Sequence, residues 1–149
     1  MKIDEVIQSK FSSPYHRAVV NVRYTSNYLA AKQNKFMMEY DLTMPQFNIL
    51  RILRGAKGAI TVNSVKDRMV EKSPNTTRLM DKLIEKNLIE RERCSDDRRV
   101  VYVKISPDGL KILGEIDEKL KNGSDEFIPT GLTEKEADLL SDLLDKLRM

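Results

Sequence analysis

The chain has 149 residues, 33% charged and 40% hydrophobic, with a net charge of +3; that is one domain's length, or a small domain with helical extensions. A single cysteine, Cys94, excludes an internal disulfide and fits a reducing cytoplasm, and with His16 as the one histidine a zinc site has too few ligands. No apolar run nears the roughly 18 residues of a membrane span, and the opening MKIDEVIQSKF lacks the apolar core of a secretory signal.

Pro14 to about Tyr40 runs without glycine or internal proline. Ala18, Val19, Val22, Leu29, Phe36, Met37 and Tyr40 recur at helical spacing, with Tyr15, Tyr24 and Tyr28 alongside, so a long helix is predicted. Thr43-Met44-Pro45-Gln46 has capping-box spacing with proline in the first turn. Phe47, Ile49, Leu50 and Leu53 stripe the helix that follows, which Gly55 and Gly58 are expected to end. Ile60-Thr61-Val62 reads as a stub of strand, and Asn63 to Val70 as a short helix with Val62, Val65 and Met69 on its apolar side. After the tight link Glu71-Lys72, Ser73-Pro74 opens the next helix as N-cap and first residue. Two short helices joined by a few residues form a helix-turn-helix.

The helix from Pro74 to about Asn87 resolves face by face at about 100° per residue. Thr76, Leu79, Met80, Leu83 and Ile84 share the inner side; Asn75, Arg78, Asp81, Lys82 and Glu85 share the outer, with Thr77 at the margin. Ser73, Asn75, Thr77, Arg78 and Lys82 are thus placed to meet base edges and phosphates, as the exposed residues near the start of a recognition helix do. Leu88 to Arg93 then turns extended, and Val100 to Ile105 is a second strand rich in β-branched residues. Between them Cys94-Ser95-Asp96-Asp97-Arg98-Arg99 makes a hairpin with a charged tip. Arg98 and Arg99 suit a narrow A·T-rich minor groove, whereas Asp97 would repel phosphate. Taken alone, such a tip reads as a solvated turn rich in charges; the helix before it gives it meaning.

Ser106-Pro107 caps a further helix to about Lys121, Asn122-Gly123-Ser124 breaks it, and Phe127-Ile128-Pro129 forms an apolar elbow. Thr133-x-x-Glu136 is another capping box, opening a last helix with Leu139, Leu140, Leu143, Leu144 and Leu147 along one side. Charge follows the same division. Residues 1–106 carry 20 basic and 12 acidic side chains, and 107–149 carry 6 and 11. A basic body attracts polyanions; an acidic, leucine-bearing tail belongs elsewhere. No glycine-rich phosphate loop, metal cluster or Ser/His/Asp constellation supports an enzyme or a cofactor.

Asp97-x-Arg99-x-x-x-Val103-x-Ile105-Ser106 resembles the wing motif D-x-R-x-x-x-V-x-L-T of the multiple-antibiotic-resistance regulator (MarR) family. Thr77-Arg78-Leu79-Met80-Asp81-Lys82-Leu83 with Asn87-Leu88-Ile89 is similar to that family's T-R-L-V-D-R-L and G-L-V segments, in the same order and spacing. Asn87 stands where the family has glycine and Ser106 where it has threonine; asparagine tolerates a left-handed C-cap and serine caps a helix, so neither change threatens the fold. The resemblance implies a mainly α fold with a small β-hairpin wing, in which dimerisation helices in residues 1–42 and 107–149 flank a winged helix-turn-helix in residues 43–106. It implies a homodimer on double-stranded, pseudo-palindromic DNA, acting as a repressor. In many members a small aromatic or anionic effector releases the DNA, and Tyr15, His16, Tyr24 and Tyr28 are the candidates to line its pocket. By the same analogy Asp97 pairs with an arginine and fixes the tip.

Cys94 reads as an incidental thiol, since the family's peroxide sensors carry their cysteine in the N-terminal helices; Arg93 beside it could lower its pKa. The competing reading is a helical adaptor or anti-regulator that keeps the fold without DNA binding. Arg78, Arg98 and Arg99 at the expected positions argue against it.

Overall fold

The computed structural model describes residues 1–72, 75–122, 127–128 and 131–149. A five-residue helix that the sequence pattern did not announce, α1 (Ile3–Ile7), precedes the long α2 (Pro14–Met38). α3 (Met44–Ala56), β1 (Ile60–Thr61), α4 (Val62–Arg68), α5 (Thr76–Glu85), β2 (Ile89–Arg93), β3 (Val101–Ile105), α6 (Pro107–Lys121) and α7 (Glu134–Arg148) follow.

Local chemistry sets most of these boundaries. Thr43 caps α3 by accepting the Gln46 N–H at 3.3 Å while the Gln46 side chain accepts the Thr43 N–H at 3.1 Å, the reciprocal box its spacing predicts. α3 ends differently from expectation. Gly55 lies inside the helix, and Lys57, not a glycine, takes the left-handed position at φ 54°. α5 also departs from expectation at its start, which is Thr76 with Asn75 as N-cap; Ser73 and Pro74 lie outside the described residues, as do Gly123, Ser124 and Pro129. At its other end Asn87 adopts φ 59°, the Asn87 N–H reaches the Ile84 carbonyl and the Leu88 N–H the Leu83 carbonyl, each at 2.9 Å. That pair of bonds is a Schellman cap, with asparagine in the role of glycine.

The hairpin gains a strand. β1 pairs antiparallel with β3 (Ile60 opposite Val103), and β3 pairs with β2 from Ile89–Ile105 to Arg93–Val101, giving the order β1-β3-β2. One core gathers Phe47, Ile49, Leu50 and Leu53 of α3, Val65 of α4, Met80 and Leu83 of α5, Ile89 and Val103 of the sheet, and Leu113 and Ile116 of α6. α2 enters it only through Phe36 and Met37 at its last turn. Phe127 closes the top, its ring against Phe36 and Phe47 at centroid distances of 5.5 and 5.7 Å. α7 buries none of its residues. A winged helical body therefore carries two arms, α2 and α7, that reach beyond its core.

Candidate nucleic-acid interface

α5 turns its faces as the periodicity requires. Thr76, Met80 and Leu83 are buried, Leu79 and Ile84 half-buried, and Thr77, Arg78, Asp81, Lys82 and Glu85 exposed. Asn75 is exposed at the cap, and Ser73, the remaining predicted contact, lies outside the described residues. Among the described residues neither Arg78 nor Lys82 is ion-paired, so both cations remain available. The helix's N-terminal end adds a partial positive charge of its own.

The wing is a five-residue ladder with a tight tip. The Cys94 N–H reaches the Val100 carbonyl at 3.3 Å and the Val100 N–H the Asp97 carbonyl at 3.1 Å. Asp97 does shape the tip, but its partner is not the arginine side chain expected by analogy. Its carboxylate accepts the Arg99 main-chain N–H at 2.9 Å, an Asx turn that an aspartate makes wherever the chain doubles back within two residues. This leaves the Arg98 and Arg99 side chains exposed and without an ion-pair partner among the described residues. Cys94 is half-buried. The main-chain N–H groups of Asp97 and Asp96 aimed at its sulfur, not Arg93, hold the thiol below the usual range.

Helix and wing converge on a cleft of about 450 Å³ lined by Thr61, Val62, Asn63, Thr77, Arg91, Arg99, Val100 and Val101. Thr77 comes from α5 and Arg99 from the wing, so the cleft joins two predicted clusters. It also contains a residue that reading the motif missed. Arg91 in β2 forms an ion pair with Asp81 of α5. Strand alternation could have found it, because Arg91 opposes Val103 and shares the side of Ile89, the side that faces the core and α5.

The aromatic set on α2 is not brought together. Tyr24 and Tyr28 share a stripe, with the Lys32 ammonium 5.1 Å from the Tyr28 ring centroid. Tyr15 lies on the opposite side and is 83% exposed. His16 packs its edge on Phe11 at 5.6 Å, with Nδ1 3.4 Å from the Ser12 hydroxyl. A cavity of about 800 Å³ beside the start of α2 is lined by Phe11, the Ser12 and Ser13 segment, Arg17 and Asn21, and by none of the four.

A three-stranded sheet whose hairpin extends beside an exposed helix, with unpaired cations on both, defines a winged helix-turn-helix protein. Residues 42–101 match the MarR family. The chain is 32% identical over 114 residues to the multiple antibiotic resistance protein MarR of Salmonella typhimurium, covering 76% of this chain and 78% of that one. It is also 32% identical over 82 residues to the uncharacterised HTH-type transcriptional regulator YfiV of Bacillus subtilis, covering 55% of this chain and 51% of that protein. Its fold matches a mutant MarR from E. coli complexed with operator DNA, at a TM-score of 0.78 and 25% identity over 93% of this chain and 99% of that one. The chain belongs to the MarR family of transcriptional regulators.

Proposed function

We propose that this regulator is a homodimeric repressor of a pseudo-palindromic operator. α5 enters the major groove of double-stranded DNA through Asn75, Thr77, Arg78 and Lys82 while Arg98 and Arg99 reach the adjacent minor groove. The observation that carries this reading is that both elements expose cations with no ion-pair partner among the described residues, Arg78 and Lys82 on the helix and Arg98 and Arg99 on the wing. The E. coli relative captured with operator DNA shares the fold that sets this geometry.

Dimerisation through residues 1–42 and 107–149 is supported by what those arms expose. Leu139, Leu140, Leu143 and Leu147 lie open along α7, and Val19, Val22, Tyr24 and Tyr28 along α2. Apolar stripes of this length need a partner. Release by a small aromatic or anionic molecule belongs to the same reading; the open tyrosines and Lys32 on α2 supply stacking and charge for it. The protein then acts where the chromosome is, in the cytoplasm.

The test is capture of genomic fragments by the purified protein, followed by titration of the captured site across salt concentrations. A discrete pseudo-palindrome whose affinity falls steeply with salt is expected. Weak binding without sequence preference would leave two readings, a dimer already held inactive by a bound molecule or the adaptor.

A further inference from the structure

The end of α5, the two long strands and the start of α6 meet at one buried point. Ser106 is 1% exposed. Its hydroxyl donates to the Asn87 carbonyl at 2.6 Å and accepts the Gly109 N–H at 3.0 Å, and its own N–H donates to the Leu88 carbonyl at 3.0 Å. A single side-chain oxygen thus joins the C-terminal cap of α5 to the first turn of α6, out of competition from water. Gly109 sets the distance between the two. A Cβ on it would lie 2.2 Å from the Leu88 carbonyl oxygen and 2.7 Å from Ile105 Cγ1, so α6 approaches this closely only because that residue has no side chain. Outside this point, the Asn87 amide donates to the Asp108 carboxylate at 3.0 Å. Lys86 forms an ion pair with Asp41 at 3.0 Å, which ties the same end of α5 to the turn after α2.

We propose that this junction fixes the attitude of α5 relative to α6, so that Ser106 and Gly109 are positioning residues that decide which operator half-site spacing the dimer accepts. The inference rests on the reading of the chain as an operator-binding dimer held through its α6–α7 arm. Neither residue touches DNA in this scheme; both act through the angle of the helix. α5 is 10 residues long, about 15 Å at 1.5 Å per residue, so a tilt of about 10° at its C-terminal end carries its first turn by roughly 2.5 Å. That displacement is close to the roughly 3.4 Å between successive base pairs. Asn75, Thr77 and Arg78 sit at the end that moves most. In a two-fold dimer the shift is applied twice, in opposite directions, and appears as a change in the distance between the two reading heads.

The experiment compares the full-length protein with Ser106→Ala, Ser106→Thr, Gly109→Ala and Asp108→Ala on operator duplexes whose half-sites are separated by one or two base pairs more or fewer. Threonine keeps the hydroxyl, so Ser106→Thr should match the parent. Ser106→Ala, which removes both side-chain bonds, should lose discrimination between spacings by at least about fivefold, the weight of one net intramolecular hydrogen bond. Gly109→Ala should shift the preferred spacing. If that variant fails to fold, Asp108→Ala, which removes only the exposed bond to Asn87, should still blunt the preference. Variants that dimerise normally but lose affinity equally at every spacing would overturn the proposal.

A second readout needs no DNA. Spin labels placed by Thr77→Cys and Glu115→Cys in a Cys94→Ser background report the α5–α6 distance within one chain. A distribution that broadens with Ser106→Ala and narrows again with Ser106→Thr supports the junction even if the parent shows no spacing preference, a result that would fault the operator reading alone. Identical distributions in all variants would overturn the inference.

Discussion

Asp97 and Arg99 divide the work of the wing tip between main chain and side chain. The Asp97 carboxylate is spent on the Arg99 N–H, which leaves the Arg99 guanidinium free to leave the protein surface. Arg99→Ala should therefore weaken operator binding by about 1–3 kcal/mol in a fluorescence anisotropy titration. Unchanged affinity would take the wing out of the mechanism. Asp97→Ala should lower affinity less, with Arg99 intact but its backbone less restrained, and a loss as large as that of Arg99→Ala would mean the carboxylate has a further role. Cys94 carries a third expectation. With two main-chain N–H groups stabilising its thiolate, its rate of alkylation by iodoacetamide should rise at lower pH than that of an unperturbed cysteine. A midpoint at or above the free-thiol value would show that those contacts do not persist in solution. The sequence announced a charged tip but not the partner of Asp97, because two residues' difference in the path of a turn decides whether a carboxylate reaches a side chain or the backbone.

Among the elements, legibility tracked length. Ten residues of α5 hold nearly three turns, enough for the apolar stripe to separate Thr76, Met80 and Leu83 from Arg78 and Lys82 without ambiguity. β1 has two residues, too few for alternation to show, so its pairing with β3 could not be read even though the stub itself could. α1 failed for the same reason. Arg91 was hidden differently: it looks like one charge among several in IERER, and only its alternation with Ile89 puts it on the side of Asp81. Capping boxes, by contrast, were readable because they depend on a three-residue interval. The box on α7 also makes a pH prediction. The Thr133 N–H and hydroxyl lower the Glu136 pKa below the ordinary glutamate range. A depressed folded-state pKa contributes stability above the unfolded pKa and loses it as pH falls through the folded one. The difference in helicity between the parent and Glu136→Ala, followed by far-UV circular dichroism, should thus shrink on acidification below the glutamate range. A difference independent of pH would assign the effect to something other than the ionised cap.

At the scale of the molecule, the winged body is self-sufficient and the arms are not. Phe36, Phe47, Leu50, Leu83 and Leu113 close a core around the sheet, while α7 contributes no buried residue at all. Sedimentation at micromolar concentration should show a dimer, and a stable monomer would sink the interlocked arms. The resemblance to the MarR family implied such arms, and more leucines than the small winged core has room for pointed the same way, but one chain contains no record of the surface it is waiting for.

That imbalance has a consequence for how long a solitary copy survives. A helix of 15 residues that buries no side chain is marginal in water, so in an unassembled chain α7 should open more readily than the winged body. Proteases act on whatever opens. Newly made or diluted chains would be trimmed from their C-terminal end first, and paired chains spared. The leucine stripe would then work as a timer on unassembled copies, setting the steady level of the regulator by its own association constant, with no small molecule involved.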